Sequence, residues 1–207
     1  MARDAGERDP PANRIFKTTK NDPYRSLVFT ILSARTKDEN TIKAAGALLR
    51  AAPDPHRLAA MPAGKIERLI HSAGFYRAKA RNLGAAAKML VAEFGGKVPS
   101  TLEELVRLPG VGRKTANILL VYSFGKDAIP VDTHVHRISN RLGLVKTKTP
   151  EKTEGALEGM VPRRHWKRLN HAFVAYGQTV CLPRNPKCAE CRLSGICWKV
   201  GVKGVKR

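Results

Sequence analysis

Leu108-Pro109-Gly110-Val111-Gly112-Arg113-Lys114-Thr115-Ala116 lies between two stretches of helical periodicity. Pro109 ends the first helix, because it supplies no backbone donor and clashes with the preceding turn. Gly110 and Gly112 then permit a tight turn with no Cβ in the way. Such a hairpin leaves the first amides of the second helix pointing outward at the positive end of its dipole, a site suited to one phosphate oxygen. Glycine-closed αα-hairpins also exist for packing alone. Here Arg113 and Lys114 follow the turn directly, in a chain with 38 Lys and Arg against 17 Asp and Glu, a formal net charge of +21. An excess of that size repels itself in a compact state, so a polyanionic partner such as nucleic acid accounts for it best. Contact through amides and cations reads phosphate, which positions nucleic acid without choosing sequence.

Outward from the hairpin the pattern stays helical. Asp22-Pro23 supplies a cap and a first-position proline, and Leu27, Val28, Ile31 and Leu32 then recur at helical spacing. Asp38 is placed to cap a second helix through Leu49, and Pro62, Gly74, Gly95-Gly96, Gly125 and Gly143 punctuate the rest. Ser100-x-x-Glu103 behind Pro99 reads as a capping box for a short helix to Arg107. Thr149-Pro150 opens another helix, and Arg164 to Tyr176 forms the last long one. The one candidate strand covers Ala128 to Val131. The fold class is therefore all-α, with a helix–hairpin–helix motif and two domains. The expected division is a helical domain over 22–126 and a second over 127–207, with residues 1–21 a polar tail that then packs on the second.

Lys114 falls in the first turn of the helix after the hairpin, where the dipole disfavours an ammonium. Dipole, partial burial and neighbouring cations would each favour the neutral amine that a nucleophile requires. Asp132, eighteen positions on in Ile129-Pro130-Val131-Asp132-Thr133-His134-Val135-His136, is placed to cap the helix that runs to Leu142. It is equally placed to act as a carboxylate that stabilises positive charge and accepts a proton. The two roles are compatible.

All four cysteines fall near the C-terminus, as Cys181-x6-Cys188-x2-Cys191-x5-Cys197. The polar N-terminal stretch holds Asp4, Glu7 and Asp9 and reads as neither a secretory signal nor a transit peptide, so disulfides fit poorly. Four thiolates closing short loops indicate a metal centre, and the spacing accommodates zinc or an iron–sulfur cluster. Arg184 and Lys187 inside the first cysteine loop, with Arg192 beyond the third cysteine, are placed to meet a DNA backbone. No apolar run approaches the ~20 residues of a membrane span, so the expected setting is cytoplasmic, in contact with the nucleoid.

LPGVGRKTAN followed by VDTHVHR, together with SARTKDENT, AGFYRAKARNL and the cysteine spacing, resembles the endonuclease III group of helix–hairpin–helix DNA glycosylases. The resemblance runs from about residue 20 through the cysteines. It implies base excision repair by a bifunctional enzyme that excises oxidised pyrimidines and cleaves the abasic site. It makes Lys114 the Schiff-base nucleophile, Asp132 the assisting carboxylate and the cysteines the ligands of a [4Fe–4S] cluster. The implied partner is double-stranded DNA carrying damaged bases or abasic sites, engaged by a monomer, with no membrane involved. Members of this group flip the target nucleotide out of the duplex. By resemblance Phe75 is the wedge that refills the stack, at a position where many relatives carry leucine. Arg35 faces the orphaned base where glutamine is common, and Ser33, Asp38 and His134 line the lesion pocket. A core aromatic is the plain alternative for Phe75, and a helix cap that for Asp38. Two other functions remain open on the residues: a glycosylase for mismatched or deaminated bases, and a non-catalytic module that only positions DNA.

Overall fold

The computed structural model describes residues 22–202 and 204. The expectation that residues 1–21 form a tail packed on the second domain lies outside them. The chain forms two compact units, one ending at Lys126 and the other containing Asp127 onward.

In the first unit α1 (Pro23–Ser33) starts where local chemistry dictates: Asp22 accepts the Arg25 amide and Pro23 takes the first turn. Beyond it come α2 (Asp38–Ala51), α3 (Pro55–Ala59), α4 (Ala63–Leu69), α5 (Tyr76–Phe94), α6 (Leu102–Leu105) and α7 (Arg113–Tyr122). The long α5 packs against α1, α3 and α4, and α1 also meets α2 and α7. Leu27, Leu32, Leu48, Leu58, Ile66, Leu83, Leu90, Leu108 and Leu119 are fully buried between them. Each contributes about 1.5–3 kcal/mol by leaving water.

The second unit holds α8 (Thr133–Leu142), α9 (Pro150–Met160) and α10 (Trp166–Thr179). α8 packs on both others, around Val135, Ile138, Leu157, Phe173 and Tyr176. Thr149 caps α9 as its sequence predicts, accepting the Lys152 amide.

Four expectations need correction. Ala128 to Val131 is not a strand, and no strand occurs among the described residues. The segment is buried coil against the second unit's core, and Asn170 Nδ2 donates to Pro130 O at 2.7 Å. The cap sits one residue later than expected, on Thr101, whose hydroxyl accepts the Glu104 amide and donates to the Glu104 carboxylate. Ser100 is occupied elsewhere, because Lys126 Nζ donates to its hydroxyl and its carbonyl. Asp38 is the first helical residue of α2, not its cap; extended Lys37 takes that place and its carbonyl receives the Thr41 amide. Asp38 and Glu39 still complement the dipole from within the first turn. The last long helix begins at Trp166 behind a 3₁₀ turn over Arg163–His165 and runs on to Thr179.

Candidate functional site

The hairpin is closed by a hydrogen bond from the Val111 amide to the Leu108 carbonyl at 3.0 Å, and both side chains are buried as its feet. Gly110 has φ +83°, and a Cβ there would lie 3.0 Å from the Asn82 side chain, so glycine is required twice over. Gly112 is different. Its backbone is extended and nothing lies within 4 Å of where a Cβ would stand. Its lack of a side chain keeps the face in front of α7 clear. As the N-cap of α7 it brings no capping side chain of its own to the amides that open the helix. Arg113 and Lys114 are both exposed. Lys114 therefore lacks the partial burial that its sequence context led us to expect.

Asp132 caps α8. Its Oδ1 accepts the amides of His134 and Val135, each at 2.9 Å. Oδ2 has no hydrogen-bond partner among the described residues. His134, one residue into that helix turn, is held on two sides. Arg137 Nη2 donates to its Nδ1 at 3.0 Å, which places the ring proton on Nε2. Gly177 of α10 lies so close that a Cβ there would come within 2.4 Å of Nδ1. The same Arg137 donates to the carbonyls of Gly177 and Cys181, and Arg141 to those of Leu182 and Pro183. Sequence reasoning missed both arginines, which tie α8 to the start of the cysteine loop.

Phe75 is 65% exposed, so it is not a core aromatic. It stands in the left-handed region at φ +56° as the N-cap of α5. Exposed Arg35 is also left-handed, at φ +52°, and its guanidinium lies 5.8 Å from the centre of the Phe75 ring. The structure thus brings these two predicted residues together. Ser33 is half-buried at the end of α1, with its hydroxyl donating to the Thr30 carbonyl. Asp38 is half-buried at the start of α2.

No disulfide joins the four cysteines, which are all half-buried, and all four line one cavity with Ile138, Leu142, Tyr176, Val180 and Leu193. Arg141 Nη1 donates to the Cys181 sulfur at 3.4 Å and the Lys199 amide to that of Cys197 at 3.3 Å, and Tyr176 Oη shares a hydrogen bond with the Cys191 sulfur at 3.2 Å. Burial, and after it the other three cysteines, push the Cys188 thiol up from its ordinary value. A thiol-rich pocket lined by apolar side chains, with donors at the sulfurs, suits a cationic group bound as a tetrathiolate. Among the described residues no three His, Cys, Asp or Glu side chains gather tightly enough for a single metal ion. Arg184 and Lys187 project from the loop as exposed cations. No described helix is long and apolar enough to cross a membrane.

A family model described as HhH-GPD superfamily base excision DNA repair protein matches residues 28–163. The chain is 48% identical over 197 residues to endonuclease III of Thermotoga maritima, an alignment covering 95% of this chain and 90% of that one. Among solved structures it is similar to a trapped endonuclease III–DNA covalent intermediate in an estranged-adenine complex. The TM-score is 0.81 at 34% identity, over 90% of this chain and 92% of that one. It is also similar to a thermostable thymine-DNA glycosylase, with TM-score 0.76 at 27% identity over 86% and 83% of the two chains. The chain belongs to the HhH-GPD superfamily of base excision DNA repair proteins and, within it, to the endonuclease III family.

Proposed function

We propose that this chain is a bifunctional DNA glycosylase and AP lyase of base excision repair, acting on oxidised pyrimidines in double-stranded DNA. The observation that carries the reading is Lys114, exposed in the first turn of α7 directly behind a glycine N-cap that brings no side chain to the amides opening the helix. A backbone phosphate bound by those amides, with Gly110 and Gly112 shaping the turn and Arg113 beside it, holds one nucleotide next to the lysine. The Lys114 amine attacks C1′, the bond from C1′ to the base breaks, and the base leaves with a proton. The C1′–O4′ bond of the resulting aminal then opens, O4′ taking a proton, to give a Schiff base that acidifies C2′; loss of the C2′ proton breaks the C3′–O bond and expels the 3′-phosphate. Hydrolysis of the imine restores the lysine. Asp132 serves this sequence through Oδ2, which stabilises developing charge at C1′ and accepts the lysine proton while Oδ1 holds the helix.

His134, Ser33 and Asp38 are lesion-pocket residues, while Phe75 fills the vacated stack and Arg35 meets the orphaned base. Cys181, Cys188, Cys191 and Cys197 would ligate a [4Fe–4S] cluster, whose contribution when bound is to fix the loop carrying Arg184 and Lys187 against the DNA backbone. The protein acts as a monomer in the cytoplasm, at the nucleoid. Borohydride reduction tests the central step: the wild type should be trapped covalently on thymine-glycol or abasic duplex, and Lys114→Ala should give no adduct. An undiminished adduct in Lys114→Ala would remove the lysine from the mechanism.

The likeness to a thymine-DNA glycosylase, together with arginine at position 35 and phenylalanine at 75, favours one second reading, excision of a mismatched or deaminated base. A panel of defined lesions compared by kcat/KM separates it from the first.

A further inference from the structure

Lys79 is a lysine on the apolar stripe of α5, 6% exposed, and the chemistry above makes no use of it. An ammonium withdrawn from water is destabilising unless its protons are all satisfied. Here they are. Nζ donates to the Leu32 carbonyl at 2.7 Å, the Ala34 carbonyl at 2.6 Å and the Thr36 hydroxyl at 2.7 Å, which uses all three protons of an ammonium. Leu32 and Ala34 belong to the end of α1, where orphan carbonyls and the negative end of the dipole favour a cation. Burial lowers the amine to about 8.

These contacts converge on Arg35 and Phe75. Arg35 lies between the two residues gripped on either side of it, Ala34 and Thr36. Thr36 Oγ1 also accepts the Gly74 amide at 3.1 Å, and a Cβ on Gly74 would come within 2.6 Å of the Arg35 carbonyl. Phe75 follows Gly74, and its carbonyl receives the Lys79 backbone amide at 3.1 Å. One residue thus grips the loop of Arg35 with its side chain and that of Phe75 with its backbone. Both held residues are non-glycine and left-handed, a conformation that persists only where the surroundings over-determine it.

We propose that Lys79 is a positioning residue that sets the Arg35–Phe75 pair in the geometry needed to enter duplex DNA. It thereby governs nucleotide extrusion and discrimination at the orphaned base. This rests on the reading of Arg35 and Phe75 as the side chains that enter the duplex.

Lys79→Met keeps the stem and removes the three donors. With the whole protein under single-turnover conditions, abasic-site cleavage is compared in duplex and in single-stranded DNA, where nothing needs extruding. 2-Aminopurine opposite the abasic site reports filling of the stack by its fluorescence. The expected result is a loss of at least about tenfold on duplex, the scale of one hydrogen bond to a charged group. Single-strand cleavage should stay near wild type, opposite-base preference should flatten and the 2-aminopurine signal should change. Unchanged duplex cleavage and fluorescence, or parallel loss on both substrates, would overturn the proposal. Should Lys79→Met fail to fold, Thr36→Val decides by the same comparison, since it removes the hydroxyl shared by Lys79 and Gly74. Phe75→Ala and Arg35→Ala test the underlying reading separately. If neither alters the duplex-to-single-strand ratio, it is that reading that fails.

Discussion

Asp132 carries two roles whose energies differ enough to be measured apart. Its Oδ1 accepts two α8 amides at 2.9 Å, and replacing such a cap by alanine costs about 1 kcal/mol. In a chain of this length that lowers Tm by about 2–4 °C. Asparagine keeps a carbonyl oxygen in the same place and is as good a cap, so Asp132→Asn should melt with the wild type. What asparagine cannot do is carry negative charge or accept a proton at the second oxygen. Loss of a positioned acid–base group is worth about 10²–10⁴ in rate, or about 3–5 kcal/mol of barrier. Base excision should therefore collapse in both variants, while only Asp132→Ala loses thermal stability. The assays are melting by circular dichroism, single-turnover release of thymine glycol, and duplex affinity by mobility shift. Affinity should be retained in Asp132→Asn, since the hairpin amides supply that contact. Base excision within about threefold of wild type in Asp132→Asn, or affinity falling in step with excision, would refute the catalytic role and leave Asp132 a cap.

The two hairpin glycines should respond differently to alanine. Gly110→Ala meets a left-handed φ and Asn82, so it should lose about 1–2 kcal/mol of stability. Gly112→Ala meets nothing, so it should melt normally yet bind duplex more weakly at every salt concentration; wild-type affinity there would count against a phosphate at α7. Lys79 gives a pH signature. With its amine at about 8 in the fold and near 10.4 when unfolded, the unfolded chain holds the extra proton between those values. Stability should therefore rise with pH across that window and show no such slope below it. Denaturant unfolding should find the Lys79 increment absent from Lys79→Met, and an identical slope in both would reject it. In the same window the neutral amine has two protons for the three oxygens of Leu32, Ala34 and Thr36, so the Arg35 loop should loosen while the fold gains.

What was legible in the sequence is what is decided locally. Asp22-Pro23, Asp132 and Thr149-Pro150 start helices because a side chain three residues or fewer from an orphan amide settles the matter. Ser100 failed as a cap for a reason 26 residues away, in Lys126. Ala128 to Val131 looked like a strand because apolar residues in extended coil repeat as they do in a strand; only a partner strand separates the two, and a partner is a tertiary fact. Phe75 could be placed by resemblance as a wedge, but its left-handed backbone and its stacking with Arg35 depend on chain brought from forty residues earlier. Lys79 left one usable trace. In α5 the neighbouring cations Arg77 and Arg81 fall on the exposed face, whereas Lys79 keeps the spacing of buried Leu83, Ala86 and Leu90. A lysine in phase with an apolar stripe either breaks the helix's packing or has acceptors waiting for it. Two of those acceptors are carbonyls at the end of α1 and the third is the Thr36 hydroxyl just beyond it, so the end of one helix, and not the chemistry of the hairpin, explains why a charge is buried in another.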